Sequence, residues 1–243
     1  MRATWLPAVL RKAGLTVHEQ AGWRTRGYDG WGPVRGVTVQ ETRGSRTSSD
    51  AGEIRVLTEG SQTAPAPIAQ LYLSRSGEWT VVASGLCYHN LTGWGGPNRG
   101  HGNATLLGIE AQHALGEPWT DRQYRSYVRG VAAIVRHLDI PVSRVAGHLE
   151  HQPGDKSDPA FDMNRFRRDV AAELEGDDMP SIEEVRKAFR DELESALAKR
   201  DAPFQGKAGE RLAKDGWKPM SRDALNTYLF ENTRATAGGV AAI

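Results

Sequence analysis

The sequence predicts an α/β fold, in which helices flank a central mixed sheet, followed by a helical C-terminal region. Short apolar runs bounded by glycine, serine, asparagine or proline have the composition of strands. They alternate with segments whose apolar residues recur at helical spacing, and this alternation is typical of a sheet covered on both faces. The composition then changes near residue 177, which indicates a larger domain, 1–176, and a smaller region, 177–243.

The elements of the larger domain follow from these local patterns. The first 15 residues predict an amphipathic helix and not a signal peptide, because their apolar stretch is short and broken by Pro7. A capping box of Thr120 and Gln123 predicts the start of the clearest helix, which ends before Pro141. Asp162 opens a later helix. The predicted strands are short and apolar or β-branched, and they lie at 37–41, 68–73, 79–83, 106–110 and 144–147.

The C-terminal region begins after the acidic, glycine- and proline-containing break 175–180. A capping box of Ser181 and Glu184 opens a helix of about five turns. Its narrow apolar stripe must be covered, either by the domain or the segment 224–230, or by a second copy in a homo-oligomer. An assembly protein is therefore one function to consider. The stripe consists of Ile182, Val185, Phe189, Leu193 and Leu197.

The totals exclude several classes of partner. The 31 lysines and arginines nearly balance the 30 aspartates and glutamates, so no overall charge attracts nucleic acid or an anionic membrane. No apolar run approaches the roughly 20 residues that span a bilayer. The only cysteine, Cys87, excludes an internal disulfide framework, and we expect it to be a small buried residue.

One cluster of residues indicates chemistry at a strand end. In the stretch VAGHLEHQPGDKSDP, a strand delivers His148, and Lys156 and Asp158 follow within ten residues. An imidazole and a carboxylate can both bind zinc, and a nearby lysine can stabilise an oxyanion. The alternative is a surface loop that carries a charged pair.

Two further strand ends carry polar residues. Glu110 ends the apolar strand LLGIE, where a carboxylate is either paired or placed for acid–base chemistry. Tyr88 follows another strand, and its phenol could donate to a substrate carbonyl. The glycine-rich loop 93–102 lacks the lysine and the serine or threonine of a phosphate-binding loop, so a nucleotide site there is not expected.

Together these motifs resemble the zinc-dependent N-acetylmuramoyl-L-alanine amidases of the type 2 family, which includes the peptidoglycan recognition proteins. The resemblance is carried by QET after an apolar strand, by SGLCYH, by LGIE and by GHLEHQPGDKSDP, in the family's order between about Thr4 and Leu174. Within this family, the sequence is similar above all to endolysins of bacteriophages that infect actinobacteria. The C-terminal region has no equally clear resemblance.

The resemblance implies a peptidoglycan hydrolase that uses zinc in host lysis. His148 and Asp158 match zinc ligands, Lys156 a residue that stabilises the tetrahedral intermediate, Glu110 the base that activates water, and Tyr88 a residue that lines the site. The bond cleaved would join N-acetylmuramic acid to L-alanine. Such an endolysin is made in the host cytoplasm without a signal peptide, and it acts on the cell wall after release.

The chain departs from the family at the first zinc histidine. The stretch VTVQETRG, 37–44, has Gln40 at that position, and a glutamine amide is a weak zinc ligand. Glu41 could replace the ligand only if the strand end twists, because side chains alternate across a strand. A histidine from elsewhere, His89, His101 or His151, is another alternative. A further alternative is a protein of the same fold that binds peptidoglycan without cleaving it. The last is an engineered substitution, against which the loss of two histidines in a row argues.

Overall fold

The structure is a computed structural model, and it describes residues 1–178 and 182–201 of the chain. The chain divides into two compact units, Met1–Met179 and Pro180–Ile243. The first unit contains the sheet and all the candidate site residues.

The first unit is built on a six-stranded mixed sheet, which confirms the predicted fold class. Its strands lie in the order β1-β4-β3-β5-β2-β6, and every neighbouring pair is parallel except β3 and β4. The strands are β1 (Val17–Glu19), β2 (Gly36–Glu41), β3 (Leu71–Leu73), β4 (Trp79–Val81), β5 (Leu106–Ala111) and β6 (Val145–Gly147). The two central strands β2 and β5 are buried along their whole length, as the apolar runs predict.

The helices of this unit include the two that were predicted to start near Thr120 and near Asp162. Thr120 caps α3 by accepting a hydrogen bond from the Gln123 N–H, but the second half of the capping box is not formed. The Gln123 side chain instead donates to the carbonyl oxygen of Gln112. The helices are α1 (Leu6–Lys12), α2 (Asp50–Glu59), α3 (Asp121–Leu138), α4 (His148–His151) and α5 (Met163–Asp178), with a 3₁₀ turn at Val142–Arg144.

The register between β2 and β5 positions the site. The parallel pairing places Gln40 opposite Glu110. Tyr127, on the buried face of α3, contacts the backbone of both strands next to this pair. Its hydroxyl accepts from the Gln40 N–H at 3.0 Å and donates to the Ile109 carbonyl oxygen at 3.1 Å. A buried side chain of α3 therefore fixes the backbone of both strands at the edge where they end.

The second unit contains the helix α6 (Ile182–Asp201), which is the helix predicted there. Phe189, on the predicted apolar stripe, is exposed. Ser181 of the predicted capping box and the segment 224–230 lie outside the described residues, and self-association through α6 stays a prediction. None of the helices in the described part of the chain is long and apolar enough to cross a membrane.

Candidate active site

A cluster of polar side chains lies where three parallel strands end. Gln40 and Glu110 come from the ends of β2 and β5, and His148 follows β6 directly as the first residue of α4. All three residues are less than one-tenth exposed. The carboxyl ends of parallel strands are the usual place for a ligand site in an open α/β sheet.

The Gln40 carboxamide is the centre of this cluster. One of its terminal atoms lies 3.1 Å from Glu110 Oε1, 3.2 Å from His148 Nδ1 and 2.9 Å from the His89 carbonyl oxygen. The other lies 3.0 Å from His89 Nδ1. With its nitrogen turned toward Glu110 and His148, the carboxamide donates to these acceptors; with the nitrogen turned toward His89, it donates to the imidazole. Only with its nitrogen toward Glu110 and His148 does the carboxamide hydrogen-bond to both of these side chains as well as to His89.

His89 is a buried partner of Gln40. Its Nε2 lies 3.2 Å from the carbonyl oxygen of Leu106. Burial lowers the pKa of His89 to about 3, so the ring is neutral at neutral pH. Of the three histidines considered as replacement ligands, His89 is the one whose ring contacts Gln40.

The ring of His89 fits its place because residue 108 of β5 is a glycine. A Cβ added to Gly108 would lie 2.3 Å from His89 Cγ, far inside van der Waals contact. Gly108 therefore allows the imidazole to lie against β5 and to reach Gln40.

We expect Gly108→Ala to destabilise the domain by about 1–3 kcal/mol, because the added methyl group overpacks a buried site and displaces His89 from its hydrogen bonds. Chemical denaturation measures this change. Gly32→Ala is the control, since a Cβ there would meet its nearest atom at 3.5 Å, an ordinary contact. Equal stability of the two variants would contradict the proposed packing of His89.

Each ring nitrogen of His148 has a polar side chain beside it. Its Nδ1 lies 3.2 Å from Asp158 Oδ2, and its Nε2 lies 3.1 Å from Gln152 Oε1. The same Gln152 oxygen accepts the N–H of Leu91, and the Gln152 amide nitrogen donates to Asp155. The Gln152 oxygen therefore faces His148 as an acceptor, and Nε2 is the nitrogen that donates to it. The spacing of His148 and Asp158 predicted their proximity, whereas nothing in the sequence indicated Gln152.

Glu110 is buried and only partly hydrogen-bonded. Burial, and to a smaller extent the negative charge of Asp158, raises the pKa of Glu110 well above its usual range, while Lys156 lowers it. Its Oε2 is buried and has no hydrogen-bond partner among the described residues. A buried carboxyl oxygen without a partner is unfavourable, and a bound ligand or water with a donor could satisfy it.

Lys156 and Tyr88 are the more exposed of the predicted site residues. Lys156 is exposed, and its charge acts on Glu110. Tyr88 is 36% exposed and packs edge-on against Tyr28, with 5.2 Å between ring centroids. The structure thus brings Gln40, Glu110, His148 and Asp158 together, with the charge of Lys156 acting on Glu110.

Glu41 lies on the other side of β2. Its carboxylate lies 3.1 Å from Arg43 Nε and from His113 Nδ1, and it accepts from the Ala160 N–H at 3.1 Å. None of these partners belongs to the Gln40 cluster, as the alternation of side chains along a strand predicts. The backbone N–H of Glu41 donates to Asp158 Oδ2 at 3.3 Å, so Glu41 anchors the segment that carries Asp158.

The remaining two histidines have partners of their own in the glycine-rich loop 93–102 and its neighbours. His151 Nε2 lies 3.0 Å from the Leu91 carbonyl oxygen, and His101 Nδ1 lies 3.1 Å from Thr105 Oγ1. The loop packs on the segment after α4, where Trp94 Nε1 donates to the carbonyl oxygen of Pro153. The loop therefore packs against the end of α4 and the residues that follow it.

The fold and this cluster define an α/β protein with a buried polar cluster at the carboxyl edge of its sheet. Residues 30–161 match the family described as N-acetylmuramoyl-L-alanine amidase. This match covers more than half of the chain. The chain therefore belongs to the N-acetylmuramoyl-L-alanine amidase family, a family of peptidoglycan amidases.

Several solved structures are similar in overall backbone. The hydrolase AmiA of Staphylococcus aureus, solved in complex with its ligand, is 15% identical, with a TM-score of 0.49 over 72% of this chain and 93% of its own. The amidase LysC of Clostridium intestinale is 12% identical, with a TM-score of 0.49 over 64% and 97%. An endolysin of a Thermus scotoductus bacteriophage is 16% identical, with a TM-score of 0.45 over 63% and 98%. No curated protein sequence matches the chain.

Proposed function

We propose that this protein is an endolysin-type peptidoglycan hydrolase directed at the amide bond between N-acetylmuramic acid and L-alanine. The observation that carries the proposal is the convergence of Glu110, His148 and Asp158 at one sheet edge in a chain of this family. Such an enzyme of a bacteriophage would act on the cell wall of its host after release from the cytoplasm.

Each residue has a role that its environment supports. Glu110 accepts a proton from the attacking water, since a carboxylate with a raised pKa is a stronger base at neutral pH. Lys156 supplies a positive charge near the oxyanion that develops on the scissile carbonyl. His148 and Asp158 bind and orient the reacting groups, and Tyr88 contacts the ligand at the rim.

The side chains of this site do not fit a normal zinc centre. His148 and Asp158 are of the types that bind zinc, but the third position that the resemblance assigns to a ligand holds Gln40. Among the described residues, no three His, Cys, Asp or Glu side chains are grouped so that they could hold a metal ion. We therefore assign no step of the reaction to zinc.

A second candidate function is peptidoglycan binding without cleavage. Gln40 favours it, because catalysis in this family uses a metal and Gln40 is a poor ligand for one. The two candidates share the same ligand and differ in turnover. We propose that the native chain binds the muramoyl–peptide junction and cleaves it slowly.

Sedimentation of the full-length protein with purified, insoluble peptidoglycan tests the shared proposal. We expect the protein to sediment with peptidoglycan and to release new L-alanine amino groups slowly. Peptidoglycan whose stem peptides have been removed by an active amidase is the control, and it should bind less protein. Absence of both binding and cleavage, or equal binding to the stripped glycan, would overturn the proposed function.

A further inference from the structure

We propose that the Gln40 carboxamide, at the position of a zinc-binding histidine, joins Glu110 and His148 by hydrogen bonds, so that the site forms without a metal. The nature of the ligand that binds there rests on the proposed function. The metal-free assembly of the site does not, because it follows from contacts between side chains of this chain.

The first step concerns the space between the side chains. Gln40 is fully buried, and its carboxamide lies at hydrogen-bonding distances of 3.0–3.2 Å from side-chain atoms of Glu110, His148 and His89. The carboxamide thus spans the cluster at the lengths that hydrogen bonds require.

The second step concerns what fixes each partner from its other side. Gln152 holds the far nitrogen of His148, and the Leu106 carbonyl oxygen faces the far nitrogen of His89. The Tyr127 hydroxyl fixes the backbone of Gln40. Each of these contacts is made by a side chain or backbone group of this chain.

The third step concerns the cost of losing the bridge. Buried polar groups are almost always hydrogen-bonded, and one left without a partner is strongly unfavourable. Without the carboxamide, Glu110 Oε1 and the near side of the His89 ring would lose their partner in the cluster. The glutamine is therefore part of the structure of the site, and its function there is to join Glu110, His148 and His89 directly.

The unfolding midpoint of the full-length protein, measured with a chelator, with added zinc and with neither, tests the proposal. We expect the three midpoints of the native protein to coincide. The native protein alone decides the matter: a midpoint that falls with chelator, or that rises with zinc, would overturn the proposal.

Two variants sharpen the result. Gln40→His should acquire a midpoint that zinc raises and a chelator reverses, because it completes a set of two histidines and a carboxylate. Gln112→His is the matched control, since Gln112 is also a buried glutamine but hydrogen-bonds to Arg75 and Ser48 away from the cluster. Its midpoint should not respond to zinc.

This measurement uses no peptidoglycan, so it can fail independently of the proposed function. A zinc-dependent midpoint of the native chain would overturn the metal-free site and leave peptidoglycan binding untouched. If the midpoints do not depend on zinc but the protein fails to bind peptidoglycan, the metal-free site stands and the proposed function is overturned.

Discussion

Gln40→His should increase the zinc-dependent rate of muramoyl-L-alanine cleavage by at least about 10- to 100-fold over the native chain. Loss of groups that merely orient a metal ligand typically costs that much, so a missing ligand should cost no less. The new imidazole would extend from the end of β2 toward His148 and Asp158, where the carboxamide now lies. Release of L-alanine amino groups from peptidoglycan, with and without zinc, measures the gain.

The gain should be specific to this position. Gln112→His adds the same side chain at a buried site elsewhere and should leave the cleavage rate unchanged. Equal, zinc-dependent rates for the native chain and Gln40→His would show that the residue at position 40 does not limit catalysis. The proposal that the native chain cleaves slowly would then be wrong.

Glu110→Gln, introduced into the Gln40→His protein, should lower the cleavage rate by about 10²- to 10⁴-fold, which is the usual contribution of a general base. Glutamine has nearly the same shape and retains an oxygen, but it cannot accept a proton from water. Binding to peptidoglycan should be largely retained, because the other contacts of the cluster are preserved. Cleavage and sedimentation assays on one preparation separate the two effects.

Glu117→Gln is the matched control for this change. Glu117 is a partly buried carboxylate paired with Arg75, and it takes no part in the Gln40 cluster. It should leave the cleavage rate unaffected. A Glu110→Gln protein that cleaves as fast as its parent would remove Glu110 from the catalytic role.

The sequence predicted most of the fold because local patterns dominate it. The central strands β2 and β5 are continuous apolar runs, and α3 combines a cap with a long apolar stripe. The elements that escaped prediction carry weak local signals. Strand β1 has only three residues, of which His18 and Glu19 are exposed, and α2 has little apolar periodicity beyond its buried Leu57. The predicted polar loop after β6 begins as the short helix α4.

The candidate site was predictable where its residues are close in sequence. His148 and Asp158 lie ten residues apart, and their proximity follows from a strand end and a short return. The contacts of Gln40 were not predictable in the same way, because the register of β2 on β5 brings it opposite Glu110. Gln152 and Gly108 gave no signal of their own, since a loop glutamine and a strand glycine are both ordinary.

The zinc content of the native protein and of Gln40→His, each purified without chelator, tests the central claim most directly. Because Gln40 replaces a ligand with a neutral amide that bridges its neighbours, we predict far less than one zinc per native chain. We predict about one zinc per chain for Gln40→His, which has the three ligands of a zinc hydrolase. One tightly bound zinc per chain in the native protein would contradict the account.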